Sequence, residues 1–147
     1  MQKKTFNEKM NTKSISAKFA NTSNGKSIVL SPAEFDAVMK MIPERKLITV
    51  TEIKAYLAKK HNVDYIDGMA TGICINQVAN ASKEREKLGS TDLTPYWRTL
   101  KAKGELNERY PGGIEAQKMQ LEAEGHTVVQ RGKRFFVEGY EDKLIEL

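Results

Sequence analysis

Cysteine is almost absent: the 147 residues contain one, Cys74, together with two histidines, His61 and His126. A single thiol excludes an internal disulfide and suits a reducing compartment. One thiol and two imidazoles also fall short of the usual four ligands of a structural zinc site. No apolar run approaches the roughly 20 residues that span a bilayer. The opening stretch, MQKKTFNEKMNTKSISAKFANTSNGKS, has no continuous apolar core, so no secretory signal is expected. Phosphate-binding loops, dinucleotide fingerprints and zinc-protease motifs are all missing. These absences predict no cofactor, no metal, no membrane and no small-molecule substrate. The expected location is the cytoplasm, at the nucleoid if the cell is bacterial. Aromatics are scarce, at 7%, yet Tyr96 and Trp97 stand side by side in TPYWRTL (94–100).

Charge is present but unevenly placed. Residues 1–31 hold Lys3, Lys4, Lys9, Lys13, Lys18 and Lys26 against Glu8 alone. Residues 32–147 hold 18 basic and 18 acidic residues, so the net charge of +5 sits in the first segment. The division is into a basic, flexible arm, 1–31, and a neutral domain, 32–147. A basic arm on a neutral body is a common way to hold nucleic-acid phosphates. The competing reading is a solubilising tail.

Periodicity places the elements. Residues 1–26 read as polar and loose, and SIVL (27–30) as a short strand. SPAEF opens a helix with Ser31 as N-cap, Pro32 in the first turn and Glu34 at the capping-box position. Phe35, Val38, Met39 and Ile42 follow at helical spacing, and Pro43 closes it. TVTEIKAYLAKKHN (49–62) gives a second helix, capped by Thr49 or Thr51, with Ile53, Tyr56 and Leu57 as its apolar stripe. GMATGICINQVANAS (68–82) gives a third that packs through Met69, Ile73 and Val78. Helix, short connection, helix is a helix-turn-helix pattern. KEREKLGSTDL reads as a charged connection, and TPYWRTLKAKGEL as a short strand with a turn at Lys103-Gly104. A last helix, IEAQKMQLEAEG, ends at Gly125, and HTVVQRGKRFFVEGY is a hairpin around Arg131-Gly132-Lys133. The fold class is α+β, mainly α.

Gly72, Asn76, Asn80 and Lys83 share one face of the third helix, with Gln77 beside them. Amide side chains there suit adenine edges or phosphate, or a plain solvated face. Residues 64–82 carry no Lys or Arg, which is unusual for a helix that enters a groove. Cys74 has no basic neighbour in sequence to activate it and reads as a buried structural thiol. Glu124 and His126 could relay a proton, but no nucleophile is evident for them to serve.

Over roughly residues 34–127 the sequence resembles the DNA-binding domain of methylguanine-DNA methyltransferases, and more closely their non-catalytic alkyltransferase-like relatives. FDAVMKMIPERKLITVTEI is similar to that family's opening helix, Ile-Pro turn and first helix of the helix-turn-helix. PYWRTLKAKGEL falls where the family has Pro-Cys-His-Arg-Val-Val and a glycine turn. GGIEAQKMQLEAEGH resembles its Gly-Gly and following helix. The resemblance implies a winged helix-turn-helix-like domain with a C-terminal β-hairpin, and double-stranded DNA, alkylated or not, as partner. A repair protein is a further candidate partner. It implies a former active-site pocket of Pro95, Tyr96, Trp97, Arg98, Gly112, Gly113 and Glu124. DNA contacts would come from Thr51, Lys54, Asn76, Gln77, Asn80, Lys83 and Arg109, with Asn107 and Arg109 in the wing.

The departures decide the expected activity. Tyr96 stands at the acceptor-cysteine position and Trp97 at the adjacent histidine. A phenol with a pKa of about 10 is a far poorer alkyl acceptor than an activated thiolate. Asp67 falls near the family's base-flipping arginine and Val50 near its tyrosine, and 81–93 is longer than the family's link. The expected function is recognition of alkylated guanine without repair. The alternatives are a general DNA-binding module whose pocket is filled, an enzyme using Cys74 or Tyr96, and a protein-interaction domain.

Overall fold

The computed structural model describes residues 5–7 and 18–147. Four lysines of the basic arm, Lys3, Lys4, Lys9 and Lys13, lie outside the described residues. The architecture is α+β: four helices among the described residues and three two-stranded sheets.

The chain segment read as loose begins the fold. Strands β1 (Lys18–Thr22) and β2 (Gly25–Val29) form an antiparallel hairpin. Polar composition hid it because what fixes it is distant in sequence. The Lys26 amide donates to Asp64 Oδ2 at 2.7 Å, Ser27 bridges to Tyr65, and Ile28 enters the core.

Helix α1 (Pro32–Met39) starts at Ser31, but Ser31 makes no side-chain cap. Glu34 turns instead to Lys60 and His61. The helix ends before Pro43, yet Ile42 stays buried beside Phe35, Val38 and Met39. Strand β3 (Ile48–Thr49) runs straight into α2 (Val50–Lys60). Of the two expected caps Thr49 is the one used. Its amide and hydroxyl both donate to Glu52 Oε1, at 3.0 and 2.6 Å, and the first of these bonds satisfies a backbone donor that the helix start leaves open.

Helix α3 spans Gly68–Lys87 and so runs past Ser82 through KEREK, where a connection is expected from the charge pattern. Those residues are good helix formers, so the helix continues until Leu88 and Gly89. Asp67 caps its start by accepting from the Ala70 amide at 2.8 Å. The following loop is then tied back. The Thr94 amide donates to Ser82 Oγ at 2.9 Å, and the Thr94 hydroxyl to Asp36 at 2.5 Å. Met69 and Ile73, expected to pack, are 79% and 54% exposed. The opposite face, Thr71, Ile75 and Val78, is the buried one.

TPYWRTL forms a 3-10 turn, Tyr96–Arg98, before the two-residue strand β4 (Thr99–Leu100), which pairs in parallel with β3. Gly104 has φ +82, and a Cβ there would strike the Tyr140 ring. Helix α4 (Gly113–Ala123) leads to the hairpin of β5 (Val128–Arg131) and β6 (Arg134–Val137). The core has two parts. One gathers α1, α2 and α3 around Tyr96 and Tyr110; the other joins Leu47, Leu100, Leu106, Leu121 and Val137. Trp97 packs against both. No helix among the described residues is long and apolar enough to cross a membrane.

Candidate nucleic-acid interface

The 3-10 turn aims its aromatic pair inward. Tyr96 is 5% exposed, edge-on to Trp97 at 5.5 Å and to Tyr110 at 5.2 Å between ring centroids. The surface facing Tyr96 is therefore the Tyr110 ring, whereas Gly112 and Gly113 begin α4. Burial raises the Tyr96 phenol above its ordinary range. Tyr110 is fixed in turn by donating its hydroxyl to the Thr99 carbonyl at 2.9 Å.

Trp97 and Arg98 converge on one carboxylate. Trp97 Nε1 donates to Glu124 Oε2 at 3.0 Å. Arg98 grips the same group with Nε at 3.0 Å and Nη2 at 2.7 Å, and its Nη1 donates to the Ile42 carbonyl at 2.8 Å. The Arg45 amide adds a fourth donor at 3.3 Å. Burial by itself would raise the Glu124 carboxyl; the hydrogen bonds from Arg98, Trp97 and Arg45 outweigh it and hold the pKa below the usual carboxylate range. This glutamate locks a corner of the fold. His126, two residues on, is buried, and burial lowers its pKa; its Nε2 has no hydrogen-bond partner among the described residues.

An open cleft lies elsewhere, against the N-terminal half of α3. It has a volume of about 300 Å³. Val50 and Lys54 of α2 form one side, and Gly68, Met69, Ile73 and Asn76 of α3 another. The segment from Lys101 to Arg109 closes it. Neither Tyr96 nor Trp97 lines it. Gly72 faces open space here, so α3 presents bare backbone to the cleft. Its cations are Lys54, Lys101 and Arg109, and its acid is Glu108, 3.3 Å from Lys101.

Asn107 holds the cleft in shape. It is buried, not a free wing residue. Its amide N–H donates to Gln117 Oε1 at 2.7 Å, its Nδ2 donates to Asn76 Oδ1 at 3.0 Å, and its Oδ1 accepts from the Arg109 amide at 2.9 Å. Gln117 completes the link by donating to the Trp97 carbonyl at 3.1 Å. The loop, α3, α4 and the aromatic corner are thus one hydrogen-bonded unit. Nothing in the sequence pattern marks Asn107 or Gln117 for this work, because Asn76 and Trp97 lie 31 and 20 residues away.

The sequence-derived residues divide between these places. Lys54, Asn76 and Arg109 line the cleft, and Thr51 is exposed on the first turn of α2 beside it. Gln77, Asn80 and Lys83 lie further along α3; Asn80 donates back to the Asn76 carbonyl, and Lys83 pairs with Glu86 at 2.8 Å. Pro95, Tyr96, Trp97, Arg98 and Glu124 form the packed corner.

Cys74 sits on the inner side of α3, its Sγ 3.9 Å from the Leu30 carbonyl, and burial pushes its pKa up to about 11. Its reaction with a thiol reagent at neutral pH is expected to be slow in the native state and fast in denaturant. Rapid native labelling with a midpoint near the free-thiol value of about 8.5 would contradict that placement.

The sequence matches no family model and no curated protein sequence. Two solved structures are similar to it in three dimensions. One is S. pombe Atl1 in complex with damaged DNA containing O6-carboxymethylguanine, with a TM-score of 0.55 and 19% identity over 79% of this chain and 94% of that one. The other is S. pombe ATL in complex with DNA, with a TM-score of 0.56 and 18% identity over the same shares. The fold is that of the alkyltransferase-like proteins. Within the alkyltransferase-like fold, what each side chain of this chain does rests on its own geometry.

Proposed function

We propose that the chain binds duplex DNA with the exposed face of α3, seats an extruded base in the adjoining cleft, and transfers no alkyl group. The observation that carries this is the open cleft itself. It joins an apolar wall, Met69 and Ile73, to a polar floor, Asn76 and Asn107, and three cations at its rim. A flat, hydrogen-bonding, phosphate-linked ligand matches that combination. The similar S. pombe proteins were crystallised with damaged DNA and with DNA. In this reading Thr51 and Lys54 hold phosphate, Asn76, Gln77 and Asn80 face base edges, Lys83 and Arg109 flank them, and the β5–β6 hairpin takes the place of a wing. The lysines of residues 1–31 add sequence-independent affinity. A repair protein is a candidate partner.

Alkyl transfer has no support in the chemistry at hand. The phenol of Tyr96 is buried with its pKa raised, and the thiol of Cys74 lies off the cleft with its pKa near 11. Neither offers a ready nucleophile. A second reading, a duplex-binding module that takes up no base, is favoured by the filled interior around Tyr96.

Fluorescence anisotropy with matched duplexes, one carrying O6-alkylguanine, separates the two. A modified guanine pairs more weakly and is extruded at lower cost, so the modified duplex should bind measurably tighter than the matched one. Equal affinity leaves the second reading, and no binding to either duplex overturns both.

A further inference from the structure

The tip of the β5–β6 hairpin is a cationic patch that the cleft beside α3 does not include. Arg131, Lys133 and Arg134 are all exposed around the turn at Gly132. Arg131 lies over the Phe136 ring at 5.4 Å, which holds its charge at the surface of the hairpin. Arg134 reaches the nearest carboxylate, Glu105, only at 3.7 Å, and its side chain remains 71% exposed.

This patch is continuous with the cleft. A shallow groove lined by Glu105, Ile114, Lys133, Arg134 and Phe135 shares Lys101 and Glu108 with it. Lys101 lies 3.3 Å from Glu108 and 3.9 Å from Glu105, so it stands at the junction between them. Along the joined surface Lys54, Lys101, Arg109, Lys133 and Arg134 oppose Glu105 and Glu108, five cations against two anions. Arg131 raises the surplus further. Residues 32–147 carry equal numbers of basic and acidic side chains, 18 of each. A neutral body that gathers cations along one stripe matches a polyanion laid along that stripe.

The geometry points to the hairpin tip as a second phosphate-gripping element: Lys133 and Arg134, with Arg131 beside them, hold the phosphodiester backbone of a duplex whose groove meets α3. The occupant is duplex DNA. The assignment rests on the DNA-binding reading above and extends its footprint from the cleft across Lys101 to the far hairpin. It also gives the domain cationic contacts that α3 lacks in residues 64–82.

The test is a salt titration of duplex affinity for the full chain, the Lys133→Gln/Arg134→Gln double variant and Arg131→Gln. Each lost phosphate contact removes about 0.9 from the slope of log K against log salt. The double variant should therefore lose about 1.8 of the slope and the single variant about 0.9, while thermal midpoints stay at the wild-type value. If wild-type protein binds and both variants keep its slope, the hairpin assignment is wrong and the DNA-binding reading stands. If wild-type protein binds no duplex, both fall. All three side chains are exposed, so the substitutions leave the core untouched; a variant with a lowered midpoint is replaced by Lys133→Ala alone, for which a loss of about 0.9 in slope supports the assignment and an unchanged slope overturns it.

Discussion

Tyr96→Ala is expected to lose about 3–5 kcal/mol of stability, the range for removing a buried aromatic ring. The ring sits between Trp97 and Tyr110 at the centre of the larger core cluster. Its removal opens a cavity under the 3-10 turn, which the parallel β3–β4 pairing holds in place and prevents from collapsing. Tyr96→Phe keeps the ring and should cost far less. Equilibrium urea unfolding measures both. If Tyr96→Ala unfolds within 1 kcal/mol of wild type while duplex binding is lost, Tyr96 is a ligand-facing residue and the packed corner described here is wrong.

Glu124→Ala should cost about 3 kcal/mol, the lower end for a buried ion pair broken on one side. The substitution leaves the Arg98 guanidinium with the Ile42 carbonyl and the Trp97 ring face but no counter-charge, and it removes the acceptor of Trp97 Nε1. A double variant, Glu124→Leu with Arg98→Met, should lose less than the single one, because no charge is left buried alone. The pH dependence has a fixed sign. The folded carboxyl titrates below its unfolded value of about 4.3, so its stabilisation is present above that value and disappears as pH falls through the lower folded pKa. The gap in unfolding free energy between wild type and Glu124→Gln should close as pH falls below about 4. A gap that widens on acidification would contradict the assignment.

Local chemistry was legible in the sequence. TVTE offered Thr49 or Thr51 as the cap of α2, of which Thr49 is used, and RGK between two β-rich runs announced the last hairpin. What was not legible depends on distant partners. The β1–β2 hairpin is polar and is fixed by Asp64 and Tyr65. The apolar residues of α3 fall on two faces, and period alone does not say that Ile75 and Val78 face in while Met69 and Ile73 face out. The aromatic corner and the cleft illustrate the same limit. PYWR drew attention for its chemistry, but the open space lies beside Asn76 and Asn107, joined across 31 residues by one hydrogen bond.

The central claim is that a duplex lies on the exposed face of α3 and its cleft. Amide chemical-shift mapping of the isotope-labelled full chain, titrated with a short duplex, tests it most directly. Saturable shifts are expected at Thr51, Lys54, Gly68–Lys83, Lys101–Arg109 and Arg131–Arg134, with α1 unmoved. Shifts confined to α1, or none at saturating duplex, would contradict it.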